Sequence, residues 1–256
     1  IRDFCLSRGL GDVYKRQFTN WDLKISTKDE RQYMRPLFEF VFKQFIQIFG
    51  VEVFKNERCI VYNDTTAPYP MLIINRHPIE IRTSVKNLIY WASYIYHLSH
   101  ELTHYVIRQY KPKKEVTIKW FEETLCEAIS LYSLKKASEI WNNCTLASKN
   151  PNYGVSLINF FNEIYYENSP SVLSQCHTLF DLQNIENDCE NNRIARSIER
   201  NYLVNTFCEY PQYISSFVYY PYYIQGSLQI DFLAWKEKDP NPLISRLEHI
   251  QPKLVS

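Results

Sequence analysis

His100-Glu101-Leu102-Thr103-His104 lies in the second half of an apolar segment that runs from residue 85 to about residue 109. Large apolar residues recur along this segment at helical spacing, which predicts a long buried helix with Ser84 as its N-terminal cap. On such a helix the two histidines are rotated by only about 40° from one another, so both imidazoles can converge on one ion. Glu101 projects about 100° further round, within reach of a water on that ion. The run predicts a zinc site with Glu101 as general base.

Polar side chains inside a buried helix require partners. A metal ion would supply a partner for both His100 and His104. The alternative is a pair of neutral core histidines that hydrogen-bond to tyrosine hydroxyls or backbone carbonyls and bind no metal. Chance is a poor explanation for the run, because residue frequencies give roughly 0.01 such matches in a chain of this composition.

The composition is that of a globular protein with an ample core. The chain has 256 residues, of which 45% are hydrophobic and 16% aromatic, enough for one large domain or two small ones. Its net charge is +1, with both signs interspersed, and this excludes an electrostatic footprint for nucleic acid or for an anionic membrane. No apolar run approaches the roughly 20 residues that span a bilayer. We therefore expect neither a nucleic acid nor a membrane as partner.

The cysteines and the start of the chain indicate the cellular compartment of the protein. The seven cysteines are widely spaced, odd in number and form no C-x-x-C pair, which favours reduced thiols. The first residues show no apolar h-region of a signal peptide, so we expect a cytoplasmic protein. Residues 1–17 look like a translated adapter or leader sequence, and we expect them to form a tail outside the fold.

Several short elements are predicted before the motif helix. Thr27-Lys28-Asp29-Glu30 is a capping box that would open an amphipathic helix over residues 29–49. The apolar period then changes to two, which predicts a hairpin of residues 51–54 with 59–62, and strands at 71–74 and 79–82. The last of these alternates isoleucine with charge. We interpret it as a sheet edge, open to pairing with an extended peptide.

A second long helix is predicted from residue 119 to about residue 141, with three glutamates among its large apolar side chains. A solvated acidic face would explain Glu122. It explains Glu123 and Glu127 less well, because these two are four residues apart on one face beside the apolar stripe. Carboxylates in such surroundings indicate a nearby cation.

With this second helix the chain resembles the gluzincin metallopeptidases, in which His-Glu-x-x-His on one helix is followed by a glutamate ligand on the next. Eighteen residues separate His104 from Glu123, which is the spacing of the aminopeptidase branch of that family. The stretch from Trp120 to Glu127 is similar to the family pattern of Trp, two residues, Glu, a small residue, two more residues and a second acidic residue. The Gly and third His of the rival metzincin pattern are absent after His104.

The resemblance implies that His100, His104 and Glu123 bind Zn²⁺. It also implies that Glu101 is the general base and that Glu127 holds a ligand histidine by a hydrogen bond. The function implied is that of a zinc-dependent peptidase, which hydrolyses peptide or protein substrates. The alternative is a catalytically inactive zinc-binding protein, or pseudo-protease, that acts through partner binding.

The predicted fold class is α+β and zincin-like: a small, mostly antiparallel sheet packed on the motif helix, followed by a larger all-helical part. Residues 18–110 would supply the first helix, the sheet and the motif helix, and residues 111–256 the third ligand, with 18–256 forming one compact unit. We expect the donor for a developing oxyanion to come from the helical part. The candidates are Tyr153, Tyr165, Tyr166, His177 and Tyr202.

Overall fold

The computed structural model describes residues 20–112, 117–167, 169–226 and 228–254, so the tail predicted for residues 1–17 lies outside the described residues. The predicted capping box is present. The Glu30 amide donates to Thr27 Oγ1 over 3.1 Å, and the Glu30 carboxylate accepts from the Thr27 amide over 2.8 Å. The helix begins at Lys28, has a π-helical turn over Glu30–Met34, and continues as α1 (Arg35–Phe49). Its apolar face is buried, as the spacing predicts.

Four strands form the main sheet, in the order β1-β2-β4-β3. Strand β2 pairs in parallel with β1 and with β4, and β3 pairs antiparallel with β4. The prediction of a mostly antiparallel sheet is therefore wrong. A helix lies between β1 and β2 along the chain, and such a crossover returns the next strand in the same direction. The strands are β1 (Trp21–Leu23), β2 (Cys59–Asn63), β3 (Met71–Ile73) and β4 (Ile79–Thr83).

The predicted sheet edge is also wrong, because β4 is an interior strand and β3 is the edge. Ile79 and Ile81 are buried, while Glu80 and Arg82 are half-buried. The alternation therefore indicates that one face of β4 is solvated, and not that β4 lies at the edge of the sheet. The predicted hairpin at residues 51–54 is absent as well. Val53 and Phe54 are adjacent and both buried, which a strand with alternating faces does not allow, and Glu52–Phe54 forms a 3₁₀ turn.

The motif helix α2 (Trp91–Tyr110) begins at Trp91 and not at residue 85, and Ser84 does not cap it. The reason lies in Asn63 at the end of β2. Its Oδ1 accepts from the Val85 amide and its Nδ2 donates to the Val85 carbonyl, each over 2.9 Å. These two bonds tie the segment after β4 to the sheet, and the helix starts only beyond them.

Helix α3 (Lys119–Glu139) packs along α2, and one hydrophobic core extends from Trp21 to Ile250. The fold is α+β. The part after α2 is not all-helical as predicted, because β5 (Ile224–Gln225) and β6 (Gln229–Ile230) form a small antiparallel pair. Within the described residues, no helix combines the length and apolarity needed to cross a membrane. The remaining helices are α4 (Tyr153–Tyr166), α5 (Leu179–Asp188), α6 (Ser197–Glu209), a 3₁₀ segment (Pro211–Tyr223), α7 (Phe232–Lys238) and α8 (Pro242–His249).

Candidate metal centre

The two histidines of α2 lie side by side because they are one helical turn apart. Their ring centroids are 4.9 Å apart, and Nε2 of His100 lies 3.2 Å from Nε2 of His104. His100 is 1% exposed, and its Nδ1 has no hydrogen-bond partner among the described residues. The structure thus brings both predicted nitrogen donors to one buried point.

Helix α3 brings the Glu123 carboxylate to the same point. Its Oε2 lies 3.3 Å from Nε2 of His100, and its Oε1 lies 3.2 Å from Nε2 of His104. A tetrahedral zinc ion about 2.0–2.1 Å from each nitrogen or oxygen ligand holds those ligand atoms roughly 3.3–3.4 Å apart. The separations of 3.2–3.3 Å agree with that spacing. His100, His104 and Glu123 therefore fit a zinc ion and are the residues that would hold it.

The protonation states of His100 and Glu123 suit a cation. The pKa of His104 does not: burial acts to lower it, but Cys126, Glu122 and Glu123 raise it well above its usual value, so a metal must displace a proton from this ring. Burial lowers the pKa of His100 to about 4, with a hydrogen bond to Glu123 acting in the opposite direction, so at neutral pH the ring is uncharged. Burial would raise the pKa of Glu123, but hydrogen bonds with His100 and His104 outweigh it and hold that pKa well below its usual range. A neutral imidazole and an ionised carboxylate are the forms that bind metal.

Glu101 lies beside these donors and is 3% exposed. Burial raises the pKa of its carboxyl group to about 7, while the neighbouring His104 acts to lower it. A backbone hydrogen bond from Leu72, on the edge strand β3, also favours the carboxylate. Because its pKa is near neutrality, this group can both accept and return a proton at neutral pH, which a general base in hydrolysis must do.

The carboxylate that contacts the outer ring nitrogen, Nδ1, of a motif histidine is Glu122. Its Oε1 lies 2.8 Å from Nδ1 of His104, and its Oε2 accepts from the Tyr220 hydroxyl over 2.7 Å. Lys111 Nζ is 3.3 Å from the same Oε2. A proton held on Nδ1 of His104 by Glu122 leaves the Nε2 lone pair for a metal ion, so Glu122 favours the tautomer that a metal needs. The solvated position suggested for Glu122 by the sequence is wrong, because this residue is only 7% exposed.

Glu127 does not make the histidine contact predicted for it. The carboxylate is 1% exposed, and neither oxygen has a hydrogen-bond partner among the described residues. Its Oε1 lies 3.7 Å from Nε of Arg193 and 3.8 Å from Nη2 of Arg196. One turn beyond Glu122 and Glu123, the side chain faces the two arginines and compensates their charge.

Replacing Glu122 tests its contact with His104. We expect Glu122→Gln to weaken zinc binding by about 10- to 100-fold, because the neutral amide supports His104 less strongly than the carboxylate does. Competition with a chromogenic chelator would measure the affinity. Glu139→Gln, an exposed change near the other end of α3, is the matched control. Equal zinc affinities for the two variants would contradict the role given to Glu122.

The three donors open onto a cavity of about 810 Å³ between the sheet and the helical part. One wall is the edge strand β3 with its flanking residues, and the floor comes from α2 and the start of α3. The opposite wall includes Glu167, Asn191 and Arg193. A substrate can therefore approach the donors from a cleft and contact a free strand edge on its way.

None of the five oxyanion donors suggested by the sequence lines this cavity. The Tyr153 hydroxyl instead accepts a hydrogen bond from the Ala92 amide over 3.1 Å, and the Tyr165 hydroxyl donates to Oδ1 of Asn205. The cavity contains Arg193, whose Nη2 lies 3.9 Å from Glu123 Oε2. Among the described residues no acceptor lies within hydrogen-bonding distance of its guanidinium, so its N–H groups are available to a ligand. Arg193 lies 89 residues after His104, and no local sequence pattern identifies it as part of the site.

A thiol completes the surroundings of the histidines. Sγ of Cys126 and one ring nitrogen each of His100 and His104 all lie within 4.8 Å of one another, and Cys126 is fully buried. Two sets of three donors therefore share the histidines, one with Glu123 and one with Cys126. The Glu123 set has the shorter separations, 3.2–3.3 Å, with a different carboxylate oxygen beside each histidine nitrogen.

Comparison with known proteins returns no match for this chain: no protein-family model, no curated protein and no solved structure matches it. Its chemistry is therefore inferred from the distances, burial and charges of the described residues.

Proposed function

We propose that this protein is a zinc-dependent peptidase of the gluzincin type, with a zincin-like arrangement of sheet and helices. The observation that carries the proposal is the convergence of Nε2 of His100, Nε2 of His104 and the Glu123 carboxylate, which has one oxygen beside each nitrogen, with separations of 3.2–3.3 Å. Three protein ligands leave a coordination position open for chemistry, whereas structural zinc sites are usually closed by four. The buried Glu101 beside an open cavity supports hydrolysis as that chemistry.

Zinc, when bound, supplies an activated water and polarises the carbonyl group under attack. Glu101 accepts the proton of the attacking water and returns it to the leaving amine, and its raised pKa suits both transfers. Glu122 keeps His104 in the required tautomer. Peptide-bond hydrolysis needs these proton transfers and a donor for the carbonyl oxygen.

The substrate proposed is a peptide in extended conformation. Met71 and Leu72 of the edge strand β3 line the cavity, and among the described residues no strand pairs with the other side of β3. An extended chain can add to such an edge through main-chain hydrogen bonds, which places a peptide carbonyl near the metal donors. The edge proposed for this pairing is thus β3, in place of the residues 79–82 suggested by the sequence.

Metal analysis combined with a hydrolysis assay tests the proposal. We expect the purified protein to hold about one zinc per chain and to cleave fluorescently labelled unfolded casein. A chelator should abolish the cleavage, and added Zn²⁺ should restore it. Protein that carries no zinc and takes none up would support the alternative of a metal-free pair of core histidines. It would reject the proposal of a zinc peptidase.

A second candidate function is zinc binding without turnover. The observation in its favour is Cys126, which can supply a fourth protein ligand and so a closed site of the structural kind. Stoichiometric zinc without cleavage of casein or of a mixed peptide library would favour this candidate. The six described cysteines are free thiols, and we propose a cytoplasmic location for either function.

Arg193 is proposed as the donor to the substrate carbonyl oxygen. We expect Arg193→Gln to lower kcat/KM by about 10²- to 10³-fold, because an N–H donor aimed at developing negative charge is lost. Arg193→Lys should recover part of the rate, and zinc content should stay unchanged in both variants. Arg246→Gln, at an exposed site paired with Glu209, is the control. A wild-type rate in Arg193→Gln would contradict the assignment.

A further inference from the structure

The Cys126 thiol is placed on the face of α3 that carries Glu123, because the two residues are three apart on the helix. The side chain is fully buried, and its sulfur lies within 4.8 Å of a ring nitrogen of His104. Five other described cysteines are also free. Among the described residues, Cys126 is the one that groups with two histidines as a possible set of metal donors.

The separations allow Cys126 to bind the same ion as the histidines. An ion about 2.3 Å from sulfur and 2.0–2.1 Å from nitrogen holds these two atoms about 3.5–3.6 Å apart. The sulfur and the ring nitrogens lie within 4.8 Å, so at most about 1.2 Å has to be closed. Rotation of the cysteine side chain about its single χ1 bond moves the sulfur by more than this.

We propose that the Cys126 thiolate is a fourth protein ligand of the metal centre and holds the resting protein in a closed, latent form. This inference rests on the proposed function. Zinc favours thiolate ligands, and four protein ligands exclude the water that hydrolysis consumes. The thiol loses its proton to solvent as the sulfur binds, and it regains a proton when the sulfur leaves and the position opens.

Cobalt substitution tests the ligand without any substrate. The full chain, stripped of metal and loaded with one equivalent of Co²⁺, should show a thiolate-to-cobalt charge-transfer band in the near ultraviolet. Cys126→Ser should still bind Co²⁺ and lack the band, whereas Cys144→Ser, a buried cysteine whose neighbours are on α1, should keep it. A wild-type cobalt protein without the band overturns the inference, and so does a band that persists in Cys126→Ser.

The latent form is tested by rate. If the closed form outnumbers the open form by about ten to one, Cys126→Ser should cleave labelled casein about tenfold faster than the wild type at equal metal content. An equal or lower rate in a variant that has lost the band overturns latency. Failure of the proposed function looks different: the wild type then binds no Co²⁺, or neither protein cleaves casein while the band still reports the ligand.

Discussion

Glu101→Gln is expected to keep its zinc and to lose hydrolysis, with kcat lower by about 10²- to 10⁴-fold. The amide has the size of the carboxyl group, and Glu101 is not one of the three proposed metal ligands. Metal binding should therefore be unaffected. What disappears is the group that accepts the proton of the attacking water. Zinc content per chain and initial rates on labelled casein, both measured on the same preparation, would check the two halves of this result.

Glu163→Gln on α4 removes an equal charge from an exposed position outside the cavity, and it should behave as the wild type. A Glu101→Gln protein with undiminished hydrolysis would reject Glu101 as the base. Loss of zinc together with activity would show instead that Glu101 contributes to metal binding. In either case the assignment of roles along α2 would need to change.

The second large effect is expected at Glu123. Loss of a residue that only hydrogen-bonds to a metal ligand lowers zinc affinity by roughly 10- to 100-fold. Glu123→Gln should lower it by well over this, because an anionic ligand is itself removed. Glu127→Gln makes the same chemical change one turn along α3, at a buried residue that faces Arg193 and Arg196. It should retain stoichiometric zinc.

Competition with a chelator at several concentrations would give both affinities. Circular dichroism on the metal-free proteins would separate loss of a ligand from loss of the fold, since one variant removes a half-buried carboxylate and the other a buried one. Weaker zinc binding in Glu127→Gln than in Glu123→Gln would overturn the ligand assignment. It would point to Glu127 as the third ligand in place of Glu123.

The sequence predicts that His100, His104 and Glu123 lie close together, as they do in the structure, because helical geometry is local. His100 and His104 must share a face at their spacing, and Glu123 needs only a second helix packed on the first. The choice between Glu122 and Glu127 depends on how α3 is rotated about its axis. That rotation is set by tertiary packing, and the Tyr220 hydroxyl that anchors Glu122 is 98 residues away in the chain.

The sheet was harder to predict for a related reason. Alternating isoleucine and charge on β4 defines which face is buried, but it carries no information about which strands lie on either side. The edge position of β3 follows from long-range pairing, and its three residues are all half-buried, so they show no alternation to detect. Arg193 carries no such signal either, because nothing in the local sequence distinguishes it from the neighbouring Arg196 and Arg200.

The hydrogen bond from Tyr220 to Glu122 has a consequence for the order of events during synthesis. His100, His104 and Glu123 leave the ribosome long before Tyr220 does, so a growing chain can assemble the three donors while Glu122 still lacks its tyrosine partner. Full support of His104 arrives only when the 3₁₀ segment Pro211–Tyr223 has docked on α3. Completion of the polypeptide and maturation of the centre are therefore coupled, and a chain that stops short of Tyr220 would carry its donors without that final restraint.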